Sequence, residues 1–324
     1  MGRWGASRAA WIAAAALGAA AAAAGQGFVD PLDLPARPSA LAGRSPLAAV
    51  AAADGRLVAV GQRGHVLWSE DGGLRWSQAT VPVSTDLTAV HLAPAGRGWA
   101  VGHDGVVIAT ADGGRTWALQ LDRRSLGAEA SLLAAWFDDE RSGVAVGAFG
   151  LVLGTGDGGR SWTRWSDRAG NPRGLHLYAV RRVGGALLVA GEQGLLLRLD
   201  SSGRRLEALR VPPGGSLFGL AGRGRTVIAY GLAGRALRSG DGGDSWHPVV
   251  TGVEETITGG AALPDGRLAL VTGGGQVLVS EDDGRSFQPA AGGRGEPTAG
   301  LAPAGGDALA LVGQGGTRRL VVPR

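Results

Sequence analysis

The chain contains no cysteine, which removes thiol catalysis, disulfide staples and cysteine-based metal sites together. Lysine is also absent, so all 32 basic residues are arginine. Against 28 acidic residues the net charge is only +4, and Arg3 and Arg8 near the amino terminus supply two of those charges. The arginines fall in scattered pairs (Arg123-Arg124, Arg181-Arg182, Arg204-Arg205, Arg318-Arg319). A phosphate backbone would need them concentrated in a stripe, so nucleic acid is not an expected partner. Tyrosine is reduced to Tyr178 and Tyr230. No apolar run of about 20 residues follows position 30, so the body of the chain has no candidate membrane-spanning helix.

What is abundant is glycine, 59 residues among 324. Without periodicity such a content would argue for disorder. Here the glycines recur at fixed offsets. An apolar strand ends on Gly-x-x-Gly at Gly61, Gly102, Gly147, Gly191, Gly231 and Gly313, with Thr272 replacing the first glycine in one copy. The copies stand 40 to 45 residues apart and number seven. About ten residues later comes a second motif, Ser/Thr-x-Asp-x-Gly-x-Thr/Ser-Trp. Its copies centre on Asp71 with Trp76, Asp112 with Trp117, Asp157 with Trp162, Asp241 with Trp246, and Asp282 with Phe287 in place of tryptophan. The fourth copy has decayed to Asp200-Ser-Ser-Gly203, and the last period has none.

Repeats of this length are the signature of stacked supersecondary units. Within the second period, runs near 87–93, 97–102, 106–111 and 116–122 read as four short strands bounded by glycine, proline or aspartate. Four antiparallel strands repeated seven times predict an all-β, seven-bladed β-propeller. The aspartate motif is the Asp-box (BNR) signature, and its chemistry is structural. The carboxylate accepts backbone N–H groups in a tight hairpin, glycine supplies the left-handed turn, and the tryptophan buries its ring while its N–H finds a carbonyl. These aspartates are therefore not read as acid–base residues. The last period lacks a fourth strand, and residues 28–40 are expected to supply it, burying Phe28 and Val29 and closing the ring without an open edge.

Residues 1–24 carry Arg3 and Arg8, then an Ala-rich apolar stretch ending Ala22-Ala23-Ala24, the pattern of a cleaved secretory signal. The expected product is one propeller domain over 25–324, periplasmic or otherwise exported and without a lipid anchor.

Loops on a rigid scaffold carry function. The Gly-x-x-Gly turns ring one mouth of the propeller, and blades one to four present bulky or charged groups there: Arg63, His103, Asp104, Phe149, Glu192 and Gln193. Two long inter-blade loops, 122–131 and 166–176, flank the same sector, and the second offers Arg168, Asn171, Arg173 and His176. These ten are the candidate contacts for a protein partner. Enzyme readings fail on inventory. A sialidase-like site needs a tyrosine nucleophile with an arginine cluster, yet both tyrosines occupy strand positions. A glycosidase needs two facing carboxylates, for which Asp104 and Glu192 are the only pair in the mouth; a glycan-binding or glycan-cleaving propeller is the competing reading. The five histidines lack metal spacing, and Glu281-Asp282-Asp283 lacks a calcium-loop pattern. No catalytic residue, cofactor or metal is expected.

From Phe28-Val29-Asp30-Pro31 through the repeats and the Asn171-Pro172-Arg173-Gly174-Leu175-His176 loop, nearly the whole chain beyond the leader resembles bacterial relatives of the photosystem II stability/assembly factor. The resemblance implies a non-enzymatic, exported propeller that binds a membrane protein or its assembly intermediate; a monomer is expected. In photosynthetic members the client is a photosystem II reaction-centre precursor, contacted partly through an arginine patch; the arginine pairs of this chain do not map onto that patch residue by residue. In non-photosynthetic relatives the implied partner is a resistance-nodulation-division transporter.

Overall fold

The computed structural model of the chain describes residues 29–128, 130–290 and 295–323. Their strands group into seven antiparallel sheets over 47–78, 87–121, 132–164, 177–208, 217–249, 257–289 and 298–321. Each sheet is an up-and-down meander whose strands pair in sequence order, and the sheets form a seven-bladed β-propeller. The second blade runs Leu87–Leu92, Gly98–Gly102, Val107–Thr110 and Ala118–Leu121, within two residues of the runs read from the sequence.

The second strand of every blade is buried on both faces, as in Leu57 to Val60 and Leu187 to Ala190. That sandwiching explains why these strands read as continuous apolar runs instead of alternating ones. The core is divided into clusters between neighbouring blades, and the aromatic closing each aspartate turn fills the gap to the preceding blade. Trp117 packs with Val58, Val60 and Val66 of blade one. Trp246 packs with Leu188 and Ala190 of blade four, and Phe287 with Ile228 and Tyr230 of blade five.

The aspartate turns are hydrogen-bonded as their residue types require. Asp71 Oδ1 accepts the N–H groups of Leu74 at 3.0 Å and Arg75 at 2.9 Å, and the Trp76 indole donates to the Gly73 carbonyl at 3.1 Å. Trp117 and Trp246 repeat that indole bond onto Gly114 and Gly243. Trp162 does not. The equivalent bond would reach Gly159 O, but the buried Trp162 N–H has no acceptor among the described residues, while the neighbouring Gly158 carbonyl takes Trp99 and Gln120. The decayed fourth copy keeps its aspartate, since Asp200 still accepts from Arg204 N–H at 2.8 Å and from the Ser202 hydroxyl.

Ring closure differs from the sequence-based expectation. The seventh sheet has three strands among the described residues, Thr298–Pro303, Ala308–Gly313 and Gly316–Val321, and residues 29–40 form no strand. The reason lies in Pro31, Pro35 and Pro38, which lack the N–H that a ladder needs. The segment crosses instead to the seam between blades one and two. Leu32 and Ala36 are buried there beside Val81, Val83 and Trp117. Ala36 N–H donates to Val81 O at 3.0 Å, and Ser84 N–H to Pro31 O at 2.9 Å. Val29, expected to be buried, is 52% exposed, and Phe28 lies outside the described residues along with the leader. Blades seven and one meet through side chains: Leu57 and Trp76 pack on Ala302, Ala304, Ala308 and Ala310, and Arg319 Nε donates to Gly72 O at 3.1 Å.

Candidate functional site

The seven inner–middle turns share a face with the loops that enter each inner strand. Gln62, His103, Ala148, Glu192, Leu232, Gly273 and Gln314 each donate a backbone N–H to the carbonyl of the residue just before their own blade's inner strand. This contact explains the first glycine of the motif. A Cβ on Gly147 would lie 2.1 Å from Ser131 O, and one on Gly102 would lie 2.2 Å from Asp86 O. Close approach, not a left-handed backbone, demands glycine here. The turn then places its next-to-last residue in the left-handed region, at φ 56° for Arg63 and Asp104, 54° for Phe149, 55° for Gln193 and 53° for Ala233.

Neighbouring blades interlock through these turns. Arg63 N–H donates to Asp86 Oδ1 at 2.8 Å, Phe149 N–H to His176 Nδ1 at 3.0 Å, and Gln193 N–H to Ser216 Oγ at 3.2 Å. Each acceptor belongs to the following blade. His103 Nδ1 lies 2.6 Å from Ser131 Oγ in the same manner.

The ten residues singled out from the sequence separate into groups. Phe149, Arg173, His176, Glu192 and Gln193 converge on the mouth between blades three and four. The Phe149 ring is 82% exposed and stands 4.8 Å from the His176 ring. Arg173 Nη1 donates to Gln193 Oε1 at 2.8 Å, and His176 N–H donates to Glu192 Oε2 at 3.1 Å. Asn171 turns inward on its own loop, donating to Leu175 O at 2.8 Å and accepting from Leu175 N–H at 3.0 Å. Arg168 sits apart, over the Trp165 ring at 6.0 Å. Arg63 is exposed on blade one.

Asp104 has an internal role. Its carboxylate accepts from the Thr85 hydroxyl at 2.7 Å and lies 3.4 Å from Arg123 Nη1. Arg123 begins a single helical turn, Arg123–Leu126, capped by Asp122. Arg123 also holds Asp30 at 2.5 Å, and Arg124 holds Asp33 at 3.0 Å. Loop 122–131 thus receives the chain's own amino-terminal segment, a role invisible in the repeat pattern. The signal that could have found it is Asp-x-x-Asp at 30–33 matching Arg-Arg at 123–124. Asp104 is thus held by Thr85 and Arg123, and Glu192 accepts from His176 N–H, so each carboxylate of the glycan-cleaving pair has a partner within the protein.

The aspartate turns occupy the opposite face with the inner hairpins, as Gly113 N–H to Gly96 O at 2.7 Å shows. Burial alone would raise the Asp112 carboxyl, but the Thr116 hydroxyl and N–H and the Thr110 hydroxyl outweigh it and hold it at about 2. The Ser161 hydroxyl and N–H do the same for Asp157, also at about 2. Groups fixed as carboxylates by their own turns cannot exchange protons near neutrality. This face opens into the central channel, a cavity of about 950 Å³ lined by the inner strands of all seven blades. Among the described residues no cluster of histidine, aspartate and glutamate could hold a metal ion.

No protein-family model matches the chain, and no curated protein does. Solved structures do. A YCF48 bound to a D1 peptide aligns with a TM-score of 0.69 at 17% identity, over 87% of this chain and 95% of that one. YCF48 from Cyanidioschyzon merolae aligns with a TM-score of 0.67 at 15% identity, over 88% and 97%. A streptogramin B lyase aligns with a TM-score of 0.72 at 11% identity, over 87% and 95%. At such identities the shared property is the fold, which this chain has in common with a peptide-binding protein and a lyase alike.

Proposed function

We propose that the protein is an exported, monomeric, non-enzymatic propeller that docks a partner protein at the mouth between blades three and four, as an accessory or assembly factor for a membrane protein or transporter complex. One observation carries the reading. Phe149 exposes a full aromatic ring from a left-handed backbone position, where a bulky side chain is disfavoured. The backbone disfavours that choice and the contact with the His176 ring still leaves most of the residue exposed, whereas a binding anchor would reward it. His176 packs beside the ring, and the adjoining loop and turn carry the hydrogen-bonded pair Arg173 and Gln193, polar groups suited to the rim about an apolar anchor. The solved YCF48 that holds a D1 peptide supports peptide capture as a use of this fold. Export rests on the leader sequence, and the mature chain begins near Gly25 on this reading.

The test places a photo-crosslinking amino acid at position 149 and exposes the full chain to membranes of its own cell. An adduct with one membrane protein, competed away by excess unlabelled parent chain but not by Phe149→Gly, is the expected result. Equal labelling of many proteins, or an adduct that the variant competes away as well as the parent, sinks the proposal. Mass spectrometry of the exported chain checks cleavage near Gly25. Turnover of fluorogenic glycosides that is lost on D104N or E192Q would support the glycan reading instead.

A further inference from the structure

The central channel opens on the face opposite the proposed docking mouth, and its wall is uneven. One sector carries His91, Trp136, Arg181 and Phe218, whereas Ala51, Ala89, Ala261 and Ala302 line it elsewhere. Small side chains leave the space, about 950 Å³, and the aromatic sector gives it one flat, polarisable side. His91 and Trp136 hold their ring centroids 4.3 Å apart.

Arg181 is the unusual member. Adjacent Arg182 is fully matched, its Nε and Nη2 donating to the two oxygens of Asp138 at 2.6 and 2.5 Å. Arg181 forms no ion pair with any described residue. Its Nη1 donates to the Leu220 carbonyl at 3.3 Å, and its guanidinium lies 5.9 Å from the Trp136 ring. A guanidinium has five N–H donors in a planar fork suited to a carboxylate. Holding such a cation half-buried without an anion is costly unless something else supplies the charge. Burial depresses its pKa, yet an arginine stays charged at neutral pH.

We propose that the channel binds a small flat aromatic carboxylate, with the acid group on Arg181 and the ring against Trp136 and His91. The inference goes beyond the docking reading and uses none of its residues. The fork matches two carboxylate oxygens, the flat wall matches an aromatic body, and the cavity has room for a molecule of a dozen or more heavy atoms.

The probe pair is 2-naphthoate and its neutral analogue 2-naphthalenemethanol, titrated into the full chain by calorimetry with tryptophan quenching as a second readout. Naphthoate is expected to bind at least tenfold more tightly than the alcohol. Arg181→Met should erase that ratio, Arg182→Met should preserve it, and Trp136→Leu should weaken both probes together. Phe149→Gly should leave both affinities unchanged, which separates failure here from failure of the docking mouth. Equal affinity of the two probes for the parent protein, or no binding of naphthoate at millimolar concentration, overturns the proposal without recourse to any variant.

Discussion

Replacing Phe149 inverts an ordinary rule of protein stability. Alanine normally stabilises relative to glycine, because glycine loses about 0.5–1 kcal/mol more backbone entropy on folding. At φ 54° the balance reverses, since an L-residue in the left-handed region costs about 1–2 kcal/mol that glycine avoids. F149G should therefore be more stable than F149A by about 0.5–1 kcal/mol. Loss of the ring itself costs little. With 82% of the residue exposed, less than a fifth of an area of about 200 Å² is hidden, which at about 25 cal/mol/Å² amounts to about 1 kcal/mol. F149G should thus unfold within about 1 kcal/mol of the parent. Phe137, 2% exposed and stacked 3.6 Å from Trp99, should lose about 3–5 kcal/mol on truncation to alanine. The assay is urea unfolding followed by the fluorescence of the ten tryptophans, comparing midpoints at unchanged slope. If F149A proves more stable than F149G, or if F149G falls as far as F137A, the ring is part of the core and the anchor argument collapses. Ala233→Gly, at φ 53° with only a methyl group to lose, isolates the backbone contribution and should stabilise by about 0.5–1 kcal/mol.

Gly147→Ala drives a methyl to 2.1 Å from Ser131 O; the backbone must move, so soluble yield should fall sharply, and an unchanged melting temperature would refute the close-contact account. Leu32→Ala removes a side chain only 4% exposed at the seam of blades one and two and should cost about 2–4 kcal/mol, with increased proteolysis of residues before 46 as the direct readout. Burial, assisted by the charge of Arg181, lowers His91 to about 4 from the usual 6.5. The unfolded chain then binds the extra proton between those values, so stability should decline as pH falls from about 6.5 to 4, by up to about 3 kcal/mol. His91→Phe should flatten that window in pH-dependent melts. The turn aspartates act lower down. Their folded pKa values lie below the unfolded 3.8, so the stability they confer is lost as pH drops from near 4 to about 2.

Regular features of this fold were legible because they repeat. Seven glycine turns and five aspartate turns state the blade count, the strand order and the buried aromatic of each unit before any coordinates are seen. The irregular features were not. The segment at 28–40 reads as the missing strand only if its length is counted and its three prolines are ignored. Trp162 is left without an acceptor among the described residues although its motif matches those of Trp76, Trp117 and Trp246, and Trp99, a second-strand residue that no motif marks, reaches the neighbouring Gly158 carbonyl. Asp104 looked available at a mouth, yet Thr85 and Arg123 reach it from outside its own repeat. Arg181 and His91 escaped notice for the same reason: they stand on inner strands whose facing partners are set by the curvature of the ring, which no local pattern encodes. The convergence of Phe149, His176, Arg173 and Gln193 was readable, because Phe149 and Gln193 fill the variable positions of successive glycine turns and Arg173 and His176 lie on the long loop 166–176 between them.

Among the described residues, the six-residue strand Gly316–Val321 occupies the outer position of the seventh sheet, whereas the outer strands elsewhere span only two to four residues. Backbone groups along such a rim can recruit a strand from another molecule. Arg318 and Arg319 stand in the middle of it, and two bulky cations at successive positions guard both faces of the ribbon. Neutralising them together should turn a well-behaved solution into one that forms fibrous or stacked aggregates, with the native ring still intact inside each unit.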